Sequence, residues 1–299
     1  MSIHIYHHND HDGVTAGAVV YMMHKTRYPD IDIKLYNISS YNTILDFSHI
    51  GDNEEVYIVD YSFSNIRNVA NLKKLVERNK RVVWIDHHKT SLEAEREPGN
   101  EWMTSISGIR FVGICGAGLS YLYLNNIPVK MESLDKLPLF LRYVNSHDVF
   151  INDMPNTREF TLGCPLLSPD SAIYHHLIRN YNEKECEQIV QSFIDDGSVI
   201  AKYLDSRDLK FLEEKGYELE IDGLKGICMN HDGNSYSFGD RFEEYDFVMD
   251  FHYDGKEKVW TYSLYTSKSN VDVSVIAKKY GGGGHAKAAG FQSKKPLFT

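Results

Sequence analysis

Apolar runs at residues 3–6, 56–59 and 82–85 have the length and branched content of buried strands, and each stops where acidic and imidazole side chains begin. The first leads into His8-Asn9-Asp10-His11-Asp12-Gly13, the second into Asp60, the third into Asp86-His87-His88. Between them the pattern turns helical. Residues 13–25 form an apolar helix candidate, and residues 65–78 set Ile66, Val69, Ala70, Leu72, Leu75 and Val76 at helical spacing. Residues 32–36 alternate like a further strand. Such alternation predicts βαβ units and a parallel sheet, and the strand ends of an open parallel sheet face the ligand crevice. Two more helices are expected at 116–124 and 134–144, the second behind Ser133 as N-cap, with Asp148 just beyond it.

Residues 182–208 are rich in helix formers and carry Ile189, Val190, Phe193 and Ile194 in an amphipathic pattern, which predicts a long connecting helix. After Gly216 the pattern changes to short alternating runs at 217–221, 226–230, 247–253 and 258–265, then a helix at 273–279 and a glycine loop at 281–284. The expected fold class is α/β. A parallel-sheet domain covers 1–180, a helical linker 181–210, and a smaller α/β domain with a mainly antiparallel sheet 211–299.

At 299 residues the chain is long enough for two domains, and 42% hydrophobic with 25% charged residues is the composition of a soluble globular protein. The first strand candidate opens at Ile3 and no apolar run approaches a membrane span, so the expected location is the cytoplasm with no membrane partner. Cys115, Cys164, Cys186 and Cys228 form no C-x-x-C pair, which argues against a zinc knuckle or a disulfide framework and for buried thiols. The net charge of -10 argues against a stable complex with long nucleic acid. That average hides a gradient: residues 256–299 hold eight lysines against Glu257 and Asp272, a balance of +6, which leaves -16 on residues 1–255. The basic end is where substrate phosphates are expected.

Hydrolysis of a phosphodiester needs a deprotonated water and neutralisation of charge on the phosphoryl oxygens, and a pair of divalent ions supplies both. Carboxylates suit hard ions, and imidazole beside them favours Mn²⁺ over Mg²⁺. Asp10 and Asp12 stand two apart, so in extended or turn backbone both can lean toward one crevice, with Gly13 releasing the chain into the next helix. Taken singly, these residues are turn formers, caps and surface histidines. Their joint occurrence behind the elements of one βαβ half is what points to a site. In the glycine run, amides without side chains can approach a phosphate or a base, with His285 and Lys287 as cationic donors.

On these residues the chain resembles the DHH phosphoesterase superfamily, whose naming triplet stands here as Asp86-His87-His88. The stretch Gly281-Gly282-Gly283-Gly284-His285-Ala286-Lys287-Ala288-Ala289-Gly290-Phe291 resembles the signature of the associated C-terminal domain. The resemblance implies that His8 and Asp10 hold one metal, that Asp12, His87 and Asp148 hold the other, and that Asp60 bridges them. His88 would contact the scissile phosphate, and Asp86 would orient the adjacent histidines. His7 competes with His8 for the first position, and His147 is an alternative participant beside Asp148. The implied cofactors are two divalent ions, Mn²⁺ preferred and Mg²⁺ also acceptable. In the second domain Gly282, Gly283, Gly284, His285 and Lys287 are implied substrate-binding residues. Tyr265 stands where many relatives carry arginine and can stack on a base in its place.

Within the superfamily the chain is most similar to the nanoRNase branch, which implies trimming of short oligonucleotides to mononucleotides. Hydrolysis of cyclic or linear dinucleotides is the main alternative. A RecJ-like single-strand exonuclease would need a longer basic path, and a soluble pyrophosphatase or a sensing module without turnover fits the motifs less well. A homodimer is left open.

Overall fold

The computed structural model describes residues 2–39, 43–63, 65–79, 81–151, 153–179 and 182–298. Two compact units divide the chain, Met1–Ser198 and Val199–Thr299. The expected domain edge at 180–181 lies outside the described residues.

The first unit opens with β1 (Ser2–His8), α1 (His11–Arg27), β2 (Asp32–Ile38), β3 (Glu55–Val59), α2 (Ile66–Arg78) and β4 (Val82–Ile85). Its four strands form one parallel sheet in the order β2-β1-β3-β4, as the alternation predicts. The strand period of two divides the residues between two cores. Ile3, Ile5, Val59 and Ile85 pack toward α1, whereas Tyr6, Val56, Ile58 and Trp84 pack toward Leu72 and Leu75 of α2. Beyond β4 come α3 (Lys89–Arg96), α4 (Gly116–Leu124), α5 (Leu139–Asp148), α6 (Thr157–Gly163) and α7 (Ile173–Ile178), and the side chains of α4 and α5 join the α1 core. Residues 12–20 of α1 are all buried, and small side chains make this central position tenable: a Cβ on Gly17 would lie 3.2 Å from the His7 ring.

Two local expectations are corrected. No helix runs through 134–144 behind Ser133. A short 3₁₀ turn, Met131–Lys136, precedes α5, which starts behind Pro138. Proline has no N–H and its ring clashes with the preceding turn, so a helix begun at 134 cannot pass it. Ser133 instead donates its hydroxyl to the Pro128 carbonyl at 2.6 Å. Asp148 consequently ends α5 rather than following it. Likewise α1 begins at His11, so Asp12 and Gly13 lie inside the helix and only Asp10, its N-cap, is extended.

Helix α8 (Glu183–Lys215) is longer than its pattern predicts and crosses the division between the units. The second unit contains β5 (Tyr217–Ile221), β6 (Leu224–Asn230), α9 (Arg241–Glu244), β7 (Phe247–Asp254), β8 (Val259–Tyr265), α10 (Val273–Lys279), β9 (Gly283–Gly284) and β10 (Ala288–Ser293). The sheet order is β5-β6-β7-β8-β10-β9, antiparallel except where β7 runs parallel to β6. One face packs Phe247, Met249, Phe251, Tyr262 and Leu264 against Val273 and Ile276 of α10. The four cysteines are buried and unbridged. No helix among the described residues is long and apolar enough to cross a membrane.

Candidate metal centre

The carboxyl ends of β1, β3 and β4 deliver the expected side chains to one place, where they meet the first turn of α1 and the end of α5. His8 closes β1, and its Nδ1 lies 2.6 Å from Asp10 Oδ2, while the other oxygen of Asp10 accepts the Gly13 N–H at 2.8 Å as the α1 N-cap. His8, Asp10 and Asp60 form one group able to hold an ion, Asp12, His87 and Asp148 form a second, and Asp60, His87 and His88 form a third that shares Asp60 with the first and His87 with the second. Between them His87 Nε2 stands 3.3 Å from Asp60 Oδ1, 3.3 Å from Asp148 Oδ2 and 3.7 Å from Asp12 Oδ2. Asp60 thus belongs to the first group and touches the ring at the heart of the second. His88 also comes within reach of Asp60, at 3.9 Å, but its Nδ1 is held by Asp86 Oδ1 at 2.8 Å. The other oxygen of Asp86 accepts from Ser91. His7 is turned away: its ring packs against Gly17 on the α1 side, and its Nδ1 meets the His8 carbonyl at 2.9 Å. Strand parity is the reason, because successive residues of β1 face opposite sides.

The electrostatics call for cations. Asp60 and Asp148 are held well above the usual carboxylate range, by burial first and then by Asp12, Asp10 and Asp86 around them. Asp60 Oδ1 and Asp148 Oδ2 are both buried and accept no hydrogen bond among the described residues. Crowded buried carboxylates with unused oxygens, next to imidazole and without thiolate, are a donor set that fits hard or borderline divalent ions. Asp10 is the exception: burial opposes its ionisation, but the His8 contact and the Gly13 amide bring it down to about 2. For His88 burial is likewise the largest influence, and the Asp86 bond with the surrounding carboxylates outweighs it, so its pKa rises.

Several supporting residues carry no sequence signal of their own. The amides of Gly116 and Ala117 at the start of α4 donate to Asp12 Oδ2 and Oδ1 at 2.6 and 2.8 Å, where the positive end of the helix adds to both bonds. Asn145 Oδ1 accepts the Cys115 amide at 2.8 Å and so fixes where α4 begins. Gly13 lets α1 approach β1 rather than release the chain: a Cβ there would lie 2.5 Å from the His8 carbonyl oxygen. A cavity of about 200 Å³ opens beside the carboxylates, lined among others by Asp10, His11, Asp12, His147 and Asp148. His11 was not singled out by spacing, because it reads as part of a turn; His147, the alternative weighed beside Asp148, faces this cavity.

In the second unit the glycine motif forms the tight β9–β10 hairpin, closed by the His285 amide on the Ala288 carbonyl at 2.7 Å. The Gly281 and Gly282 amides donate to Lys278 and Ala277 of α10, so these two serve as the helix cap. Gly282 faces the Gly290 carbonyl so closely that a Cβ would lie 2.1 Å from it, whereas at Gly283 nothing stands within 4 Å. Lys287 donates to the Ser267 carbonyl at 3.2 Å and also to that of Lys268, which anchors the β8–α10 connection. Tyr265 packs against the cluster of Met229, Phe238 and Val248. His285 lies exposed at the hairpin turn.

Residues 2–146 match the model described as the DHH family, N-terminal domain. The chain is 24% identical over 310 residues to an uncharacterized protein of Acanthamoeba polyphaga mimivirus, spanning 97% of this chain and 67% of that one. It is 24% identical over 295 residues to oligoribonuclease NrnB of Bacillus subtilis (strain 168), spanning 96% and 72% respectively. Among solved structures, an exopolyphosphatase-related protein from Bacteroides fragilis superposes with a TM-score of 0.50 at 11% identity, over 99% of this chain and 87% of that one; this likeness concerns the fold. The triplet Asp86-His87-His88 sits directly behind β4, at the edge of the parallel sheet.

Proposed function

We propose that this DHH-family protein is a metal-dependent phosphodiesterase of the cytoplasm that hydrolyses short oligonucleotides to mononucleotides. The observation that carries the reading is the set of ligand groups linked through Asp60 and His87, with two buried carboxylate oxygens that accept no hydrogen bond among the described residues. The similarity to an oligoribonuclease along nearly the whole chain supports the substrate class. His8 and Asp10 would hold one divalent ion, Asp12, His87 and Asp148 the other, and Asp60 both. Two such ions, Mn²⁺ by preference, supply an activated water and charge neutralisation when bound. The chain's own contribution is positional: Asp86 fixes the His88 ring through Nδ1 and raises its pKa, which favours a ring that donates to a phosphoryl oxygen.

Protein stripped with EDTA is expected to lose turnover of a pApA-type dinucleotide and to regain it with Mn²⁺ better than with Mg²⁺; full turnover by the stripped protein would refute the assignment. The two histidines should separate. His87→Ala lowers metal occupancy, whereas His88→Ala keeps both ions and lowers kcat. Metal content measured beside rate decides this, and equal metal loss in both variants would mean that the roles are misassigned.

A further inference from the structure

On the sheet face opposite its main core, the second unit sets a row with polar and glycine positions beside the smaller apolar cluster of Ile227, Met229 and Val248. Strand register sets Met229, Asp250, Ser263, Gly290 and Gly283 in one row across β6, β7, β8, β10 and β9. Side chains directly opposite one another in register share a face, so this row stands on one side, with Tyr265 in the next row beside it. Asp250 closes the inner end at 1% exposure, and its Oδ2 is buried without a hydrogen-bond partner among the described residues. A buried acceptor of that kind is unfavourable until a donor reaches it. Burial drives the Asp250 carboxyl upward, against a hydrogen bond from Ser263 and with help from Asp232, to about 7. Near the end of the neighbouring strand, Ser267 Oγ is also buried and unpartnered.

Toward the other end the row has no side chains at all. A Cβ on Gly290 would lie 2.8 Å from the Tyr262 carbonyl, and the space above Gly283 is open for 4 Å. Ser263, Gly290 and Gly283 are partly exposed. The result is a flat, partly exposed strip of backbone, with a buried acid at its inner end and the half-buried Tyr265 ring alongside. In its ionised form an acid at that end accepts only, and so selects N–H donors. Among nucleobases the Watson–Crick edge of guanine offers two adjacent donors, N1–H and N2–H, where adenine, cytosine and uracil each offer one.

We propose that this row is a nucleobase subsite in which Asp250, steadied by Ser263, reads the donor edge of guanine. The inference rests on the nucleotide-hydrolysing reading above only for the presence of a base in the substrate. Calorimetric titration of the full-length, metal-loaded protein with GMP, AMP, CMP and UMP tests it. GMP should bind roughly tenfold or more tightly than AMP, as a two-donor base contact gives, and Asp250→Asn should remove that preference with metal content and Tm unchanged. Ser263→Ala, a milder change, should weaken GMP in the same direction. Equal affinity of the wild type for all four nucleotides, or a guanine preference that survives in both variants, overturns the proposal. The base-free diester bis(p-nitrophenyl) phosphate separates the two readings. If the wild type does not hydrolyse it or any dinucleotide while the guanine preference stands, the phosphodiesterase assignment fails and the subsite remains.

Discussion

Asp60→Asn is expected to reduce turnover by about a thousandfold or more, because a single preorganised charged or hydrogen-bonding group commonly accounts for 10²–10³ in rate and this residue belongs to one ligand group and touches the His87 ring of the other. Asparagine is the informative replacement. Asp60 lies at φ 53°, in the left-handed region, which aspartate and asparagine tolerate and other side chains resist. Alanine would add a backbone cost of about 1–2 kcal/mol and mix folding with chemistry. Asparagine keeps shape and backbone but removes the charge, so metal content should fall together with rate. The metal-free protein should respond in the opposite sense. Asp60 is buried among Asp12, Asp10, Asp148 and Asp86, and removing one charge from that group relieves repulsion, so stripped Asp60→Asn should melt above stripped wild type. Near-normal turnover with both ions retained would show that Asp60 is not shared between them. A lower Tm in the stripped variant would show that the carboxylate is part of the fold rather than of the site.

What the sequence made legible follows from how locally each feature is determined. The strands β1, β3 and β4 are short apolar runs whose pattern survives folding, and the residues at or just beyond their ends, His8, Asp60 and His87, arrive together because parallel strands in one sheet end on one side. The helix α10 and the strand β5 also match their patterns residue for residue. The errors arise where one backbone group overrules a pattern. Pro138 displaces a helix that Leu134 and its neighbours would otherwise begin, and the Asp10 side chain on the Gly13 amide draws His11 and Asp12 into α1. The remaining site residues depend on long-range packing. Nothing near Gly116 marks it as a neighbour of Asp12, more than a hundred residues away, and nothing near Asn145 marks it as the partner of the Cys115 amide. For Lys287, charge suggests a phosphate contact, but the backbone carbonyls of Ser267 and Lys268 already take its ammonium group.

Gly116→Ala carries the second large effect, and it tests that long-range contact directly. Gly116 begins α4 beneath the carboxylates, where a Cβ would lie 2.7 Å from Asp60 Cβ and 3.0 Å from Asp12 Oδ2. Neither neighbour can yield at little cost. Asp60 is held by its unusual backbone, and Asp12 is held by the Gly116 and Ala117 amides that the same substitution would displace. Overpacking of a filled interior costs about 1–3 kcal/mol, so a fall in Tm of several degrees is expected. Loss of support around ligating carboxylates commonly lowers metal affinity or activity about 10–100-fold, and both should fall here because Asp12 and Asp60 belong to different ligand groups. Gly118→Ala provides the comparison, since the Cβ there would meet Ile114 at 2.8 Å and Leu137 at 3.2 Å in the apolar core. It should lower Tm to a similar degree and leave Mn²⁺ affinity close to wild type. If Gly116→Ala lost stability but bound Mn²⁺ and turned over substrate as well as Gly118→Ala does, the α4 amides would be supporting the fold alone and Asp12 would not need them to hold an ion.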